Sequence, residues 1–183
     1  MVLKKTFIKN NEKSSLVTKK GDKGTTELYC RKKVLKDDVR CEACGTLDEL
    51  CSFLGLLKVY IKEKNMKSFI EHIQKDLFII GTEIVTTPKK VKLLKKRIGK
   101  THVVFFERRI KDLEKKIILP SKFILPGKNK ISVFFHITRA VTRRLERRVV
   151  ALKKKKLLKN NFILTYLNRL SDILYILAYW YEK

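Results

Sequence analysis

The chain is short of the residues that interrupt regular structure. Its 183 residues include 7 glycines and 3 prolines, so long uninterrupted helices are expected. No apolar run reaches the roughly 20 residues of a membrane span. The nearest candidate, "ILYILAYWY" at 173–181, is too short and follows the polar "NRLSD". The opening "MVLKKTFIKNNEK" lacks the apolar stretch of a secretory signal and the Arg and Ser of a transit peptide. The expectation is a cytoplasmic protein without membrane insertion. Acidic residues are scarce: 18 Asp and Glu stand against 44 Lys and Arg, a formal net charge of +26. Such an excess points to a polyanionic partner, whether nucleic acid, a membrane surface or a phosphate-rich ligand. Most of it is lysine scattered along the chain, which biased codon usage also produces, so the clustered arginines carry more information. Hydrophobic residues make up 44%, which argues against disorder and gives one domain a proper core.

Cysteine is confined to one stretch: Cys30, Cys41, Cys44 and Cys51. "CEAC" is a lone C-x-x-C with no second pair and no nearby histidine, whereas a closed zinc site usually draws four such ligands. Cys44 and Cys51 are seven residues apart and share a face if helical. Small buried thiols are the expected reading, with a metal or redox role as the alternative. Disulfides are not expected in a reducing compartment.

The apolar spacing predicts five helices. The first runs from about Asp38 to Lys64, with Leu47, Leu50, Cys51, Leu54 and Leu57 as its stripe. The second spans about Met66 to Thr86, turning Ile70, Ile73, Leu77 and Ile80 inward, and Pro88 with the following lysines forms a loop. The third covers about Thr101 to Lys116. "LPSKFILPGK" then holds two prolines and a glycine and reads as a structured connection. The fourth helix runs from about Lys130 to Lys155 and the fifth from about Asn161 to Tyr181. Strand alternation is persuasive only around Leu16 and Val17. The expected architecture is an all-α, up-and-down five-helix bundle. Residues 16–183 form its single domain, behind a basic, flexible segment at 1–15.

Three stretches could carry chemistry. "TKKGDKGTTEL", Thr18 to Leu28, combines glycines, hydroxyls and lysines ahead of the first helix. In the fourth helix, Arg139, Arg143 and Glu146 follow i, i+4, i+7 spacing, and Arg147 extends their stripe. Arg144 and Arg148 lie about 100° round from it, one residue's turn of the helix. Such arginines suit partner carboxylates or a bound polyphosphate, which guanidinium forks grip bidentately. A solvated basic face or an RNA-binding stripe is the alternative, although the aromatics that stack on bases are not evident. In the fifth helix, Asn168, Arg169 and Asp172 interrupt an apolar sequence. Asn168 could read an adenine or ribose edge, or tie two helices together. Asp48 and Glu49, in "CGTLDEL", could partner an arginine.

The order of these pieces resembles one family. "TKKGDKGTT", "KDD", "CGTLDEL", "FILPG", "RAVTRRLERRVV" and "NRLSD" follow one another as in the PduO-type corrinoid adenosyltransferases, from Thr18 to about Tyr179. The resemblance implies an ATP:cob(I)alamin adenosyltransferase. Its expected cofactors and substrates are ATP, Mg²⁺ carried on the ATP phosphates with no protein metal site, and cobalamin. It also implies a five-helix bundle with an N-terminal nucleotide-binding loop, and a homotrimer with active sites between subunits. A corrinoid reductase and a B12-dependent enzyme would be its working partners, and nucleic acid would not. The residues matching the family's ATP site are Thr18, Lys19, Lys20, Gly21, Gly24, Thr25, Thr26, Lys36, Arg143, Arg144, Glu146, Arg147 and Asn168. Asp48 and Arg139 match a pair formed across the subunit interface. Phe123 matches the phenylalanine beneath the corrin ring, and Phe123, Arg143 and Asp48 are the expected catalytic set. The histidines His72, His102 and His136 are expected to be structural or surface residues. The chain departs from the family pattern at Lys128, where a second glycine is usual, and at Cys44 and Cys51, where tyrosine and asparagine are common. Two other readings are weighed: a catalytically weak ATP- or corrinoid-binding carrier or sensor of the same fold, and a basic helical nucleic-acid-binding protein.

Overall fold

The computed structural model describes Val17 and residues 19–29, 31–121 and 124–183. Of the residues singled out above, Leu16, Thr18, Cys30 and Phe123 lie outside that set, as does the segment 1–15.

The five expected helices are present: α1 (Val39–Tyr60), α2 (Lys64–Val85), α3 (Lys100–Glu114), α4 (Lys130–Lys154) and α5 (Phe162–Trp180). Three of the starts have a local cause. Asp38 caps α1, its carboxylate accepting from Arg40 N at 2.8 Å, and Asn129 caps α4 by accepting from Ser132 N at 3.0 Å. At the start of α3, His102 Nδ1 accepts from Gly99 N at 3.2 Å while His102 N donates to Gly99 O at 3.1 Å. The end of α1 differs from expectation. No glycine or proline lies between Gly55 and Gly81, yet the helix stops at Tyr60. Ile61 turns to extended backbone and is 1% exposed, so burial of one branched side chain outweighs continued helix propensity.

The second correction concerns strands. Val17 carries none, and two three-residue strands form further on, β1 (Thr25–Glu27) and β2 (Lys33–Leu35). They pair antiparallel with Thr26 opposite Val34. Strands this short hold too few residues for an alternation to register. The turn between them uses Arg31 at φ 60, whose N donates to Leu28 O.

Side-chain contacts fix the helix directions. Glu42 meets Arg148 and Tyr60 stacks on Phe134, so α1 and α4 are antiparallel. Gln74 Nε2 donates to Cys51 O at 3.0 Å across the antiparallel α1/α2 pair. α4 and α5 are antiparallel through Phe135 against Tyr181 and Arg139 against Tyr175. Phe106 packs edge-on to Tyr166, joining α3 to α5. The helices therefore alternate in direction, as expected of an up-and-down bundle. One pole gathers the hairpin, the start of α1, the loop between α2 and α3, and the turn between α4 and α5. The expected inward residues form the core: Leu47, Leu50, Leu54 and Leu57 of α1 and Ile70, Ile73, Leu77 and Ile80 of α2 are all buried.

Two polar knots sit inside this apolar frame. Tyr166 Oη donates to Asp76 Oδ2 at 3.1 Å, with both residues buried. The other knot closes the pole. Glu83, fully buried in α2, accepts from Ile98 N at 2.8 Å and from Asn160 Nδ2 at 3.0 Å. Asn160 Nδ2 also donates to Ile98 O, and Asn160 Oδ1 accepts from Phe162 N at the start of α5. One carboxylate thus fastens the α2–α3 loop to the α4–α5 turn. Removing it strands buried donors without partners, which costs far more than a surface change. Glu83→Ala is expected to lower unfolding stability by about 2–4 kcal/mol, read from urea midpoints. A loss below about 0.5 kcal/mol, the size of an ordinary surface change, would contradict the clamp.

Candidate functional site

The hairpin gives the N-terminal loop its shape. Lys36 N donates to Gly24 O at 2.9 Å, and Gly24 N donates to Gly21 O at 3.2 Å. Gly24 holds φ +72, which a residue without Cβ adopts freely. The Lys36 ammonium lies over Gly21, where a Cβ would come within 3.3 Å of Nζ. Two glycines and a lysine separated by a strand pair are thereby brought together, with Thr25 and Thr26 on β1 beside them and Lys19 and Lys20 exposed at the loop's entry. Hydroxyls and an ammonium around two glycines, where no side chain blocks approach to the backbone, suit a polyphosphate.

The arginines of α4 separate into two sets. Arg144 pairs with Glu49, and Arg148 with Glu42 at 3.2 Å, both carboxylates coming from α1. Arg143 and Arg147 are exposed and form no ion pair among the described residues. A helix repeats about every 3.6 residues, so positions 144 and 148 turn toward α1 while 143 and 147 turn away together. Glu49 thus supplies the arginine partner anticipated for this stretch of α1. Glu146, which could have compensated an arginine, instead accepts from Asn168 Nδ2 on α5 at 3.5 Å.

Asn168 is held from both sides. Arg169 Nη1 donates to its Oδ1 at 2.9 Å. Arginine can only donate and a carboxylate can only accept, so these neighbours fix which end of the amide is oxygen. Arg169 is in turn braced by Glu107 of α3, Nε to Oε1 at 3.2 Å. The chain Glu107, Arg169, Asn168, Glu146 spans three helices. Sequence reasoning singled out Asn168 and Glu146 but not Glu107, whose partner is 62 residues away.

Asp48 and Arg139 do not meet within the subunit. On the register set by Tyr60 with Phe134 and Glu49 with Arg144, Arg139 stands opposite the Leu54–Gly55 region. That is about 9 Å along the axis from Asp48 at 1.5 Å per residue. Asp48 is exposed without an ion pair among the described residues. Arg139 has a buried Nε with no hydrogen-bond partner, and its guanidinium lies 5.8 Å from the centre of the Tyr175 ring.

The departures from the family pattern are accommodated locally. The positive φ in the loop before α4 falls on Gly127, at +151, and not on Lys128. Lys128 Nζ reaches Glu182 Oε2 at 3.8 Å. Glu182 also accepts from Ser132 Oγ at 2.8 Å, and Asn129 Nδ2 donates to Tyr181 O at 2.5 Å. The C-terminal end of α5 is therefore tied to the start of α4. His136 lies against Glu182, its Nε2 3.6 Å from Oε1. Burial pushes its pKa below the usual imidazole value, with Glu182 opposing. Cys41, Cys44 and Cys51 are free and partly buried, and burial pushes the Cys44 thiol up to about 12, the behaviour of packing thiols and not of reactive ones. Among the described residues, no three His, Cys, Asp or Glu side chains are grouped to hold a metal ion, and no helix is long and apolar enough to cross a membrane.

Fold and site together define a class: a five-helix bundle with a glycine–lysine loop at one pole and a free pair of arginines on its fourth helix. The cobalamin adenosyltransferase family model matches residues 16–181, and the chain belongs to that family. A corrinoid adenosyltransferase of Citrobacter freundii is 36% identical over 130 residues, 71% of this chain and 74% of that protein. The corrinoid adenosyltransferase PduO of Salmonella typhimurium is 33% identical over 130 residues, and the match spans 39% of its longer chain. Among solved structures, a variant PduO-type ATP:corrinoid adenosyltransferase from Lactobacillus reuteri, complexed with cobalamin and ATP, superposes with a TM-score of 0.84 at 30% identity. That alignment covers 92% of this chain and 93% of the other.

Proposed function

We infer that the chain transfers the 5′-deoxyadenosyl group of ATP to the cobalt of a reduced corrinoid. In that reaction a cobalt–carbon bond forms at the 5′ carbon as its C–O bond breaks, and triphosphate departs with the electron pair. Cobalt supplies the nucleophile, so the protein needs none of its own. Its tasks are to hold the 5′ carbon in line and to stabilise the charge growing on the leaving group. The observation that carries this reading is the sorting of the α4 arginines. Glu42 and Glu49 neutralise Arg148 and Arg144, and Arg143 and Arg147 are left unpaired beside the braced Asn168.

The assignments combine the family resemblance with this arrangement. Thr18, Lys19, Lys20, Gly21, Gly24, Thr25, Thr26 and Lys36 enclose the polyphosphate, with the Lys36 ammonium above Gly21. Arg143 and Arg147 take the leaving triphosphate, and Asn168, aligned by Glu146 and Arg169, contacts the nucleoside. Arg144 lies on the adjoining face, toward α1, and acts through its bond to Glu49. Mg²⁺ travels on the phosphate oxygens, which suit its hard coordination; the described side chains offer no acidic cluster in their place. Phe123, outside the described residues, is assigned on the family resemblance alone to the underside of the corrin ring, where an apolar side chain in place of a lower ligand would ease reduction of the cobalt. The cellular setting is the cytoplasm, with a reductase supplying electrons and a B12-dependent enzyme receiving the product.

The direct test is anaerobic: chemically reduced cobalamin, Mg-ATP and purified protein, followed by spectrum with triphosphate quantified in parallel. Loss of the Co(I) spectrum with equimolar adenosylcobalamin and triphosphate is the expected result. Nucleotide binding without triphosphate release would leave a carrier or sensor, and salt-sensitive RNA binding without turnover would leave a nucleic-acid protein.

The working form is a homotrimer in which Asp48 meets Arg139 of the neighbouring subunit. The orphaned, buried Arg139 Nε and the unpaired Asp48 support this. Breaking one side of a buried pair leaves an uncompensated charge. Asp48→Asn is expected to shift the sedimenting mass toward monomer or to weaken Mg-ATP binding at least about tenfold, the equivalent of 1.4 kcal/mol. Wild-type mass together with wild-type affinity would refute the pairing.

A further inference from the structure

The helix directions gather positive charge at one pole, and the assignments above use only part of it. Glu83 fastens the loop after α2 to the turn before α5 through Ile98 and Asn160. α1 begins at the same pole, three residues after Lys36. Residues 86–100 carry seven Lys and Arg, residues 150–161 carry five, and neither segment holds an Asp or Glu. All but Lys153 of these side chains belong to exposed residues. Among the described residues only Arg97 has an ion pair, with Glu83. Counting residues 19–29 and 31–38 as well, this pole has 19 Lys and Arg against 4 Asp and Glu. At the far pole, residues 61–63, 115–121, 124–129 and 181–183 hold 5 against 2. The cationic-pole stretches are longer, 46 residues against 19, but the density differs too: about four residues in ten are Lys or Arg there, against about one in four at the far pole, which is near the average of the whole chain.

Exposed ammonium groups contribute little to holding a ligand they do not touch, but their fields add. At low ionic strength the summed potential reaches tens of ångströms and raises the local concentration of anions. We propose that this cationic pole steers the polyphosphate of a nucleoside triphosphate onto the Lys19–Lys36 loop, setting the rate of capture and not the lifetime of the bound state. The proposal rests on the nucleotide reading of that loop. Nucleic acid is a poorer fit. Eleven of the twelve cations in the two segments are lysines, and the segments contain no aromatic residue for base stacking. The phosphate-sized glycine loop lies at the same pole.

The experiment measures association and dissociation of a fluorescent ATP analogue by stopped flow on the full chain. One variant carries Lys92→Gln, Lys95→Gln, Lys96→Gln and Lys154→Gln. A control removes the same charge from the far pole through Lys62→Gln, Lys115→Gln, Lys116→Gln and Lys183→Gln. At about 20 mM salt the pole variant is expected to associate about 3- to 10-fold more slowly than the wild type, with dissociation unchanged. The difference should vanish near 0.5 M salt, where screening shortens the field to about 4 Å. The control should stay within about 1.5-fold of the wild type, because its charges lie beyond a Debye length from the loop. Equal slowing in both variants would reduce the effect to net charge and overturn the proposal. So would a change confined to dissociation, or a pole variant that loses single-stranded RNA binding while capturing nucleotide normally. A wild type that binds no nucleotide at any salt would instead sink the reading of the loop itself.

Discussion

The pairing of two α1 carboxylates with two α4 arginines governs the rest of the site. Four arginines within six residues would repel one another if all faced the same medium. Glu49 takes Arg144 and Glu42 takes Arg148, in the antiparallel register that the buried core of α1 and α4 sets. The same register leaves Arg143 and Arg147 free, keeps Asp48 away from Arg139, and places the start of α1, with Lys36 just ahead of it, at the cationic pole. Exposed ion pairs add little stability by themselves. Their consequence here is selective: they decide which guanidinium groups stay available for a ligand.

The fifth helix extends that constraint. It is the most apolar of the five helices, yet it carries Asn168 and Arg169 at its middle. Arg169 is anchored to Glu107 on α3, and Asn168 to Glu146 on α4. A polar pair on an apolar helix is tolerated because each group finds a partner on a neighbouring helix. The bundle thereby holds Asn168 by side chains from three helices and not by a loop. Orientation held this way needs little reorganisation on binding.

Much of this was legible in the sequence, because helical periodicity is a local signal. The stripe Leu47, Leu50, Leu54 and Leu57 and the split of the arginines into two faces both follow from 3.6-residue spacing, and both appear as read. What escaped were interactions between distant residues. The β1/β2 hairpin has three residues per strand, too few to show alternation, although it is what brings Lys36 back over Gly21. The end of α1 at Tyr60 depends on the core receiving Ile61. The Glu83 clamp joins residues 77 positions apart, and a lone glutamate late in an amphipathic helix carries no mark of it. At Lys128, where the family usually has a second glycine, the backbone question is answered locally: the positive φ falls on Gly127, and the lysine lies 3.8 Å from Glu182.

The central claim is that charge pairing within the bundle divides the α4 arginines into ligand-binding and bracing sets. The most direct measurement is calorimetric titration of Mg-ATP into Arg143→Ala and Arg144→Ala, with the melting temperature of each recorded alongside. The account predicts that Arg143→Ala loses at least about tenfold in affinity, 1.4 kcal/mol, while melting as the wild type does. Arg144→Ala should keep its affinity within about threefold, less than 1 kcal/mol, and melt lower. The reverse pattern, with Arg144 controlling affinity and Arg143 dispensable, would contradict it.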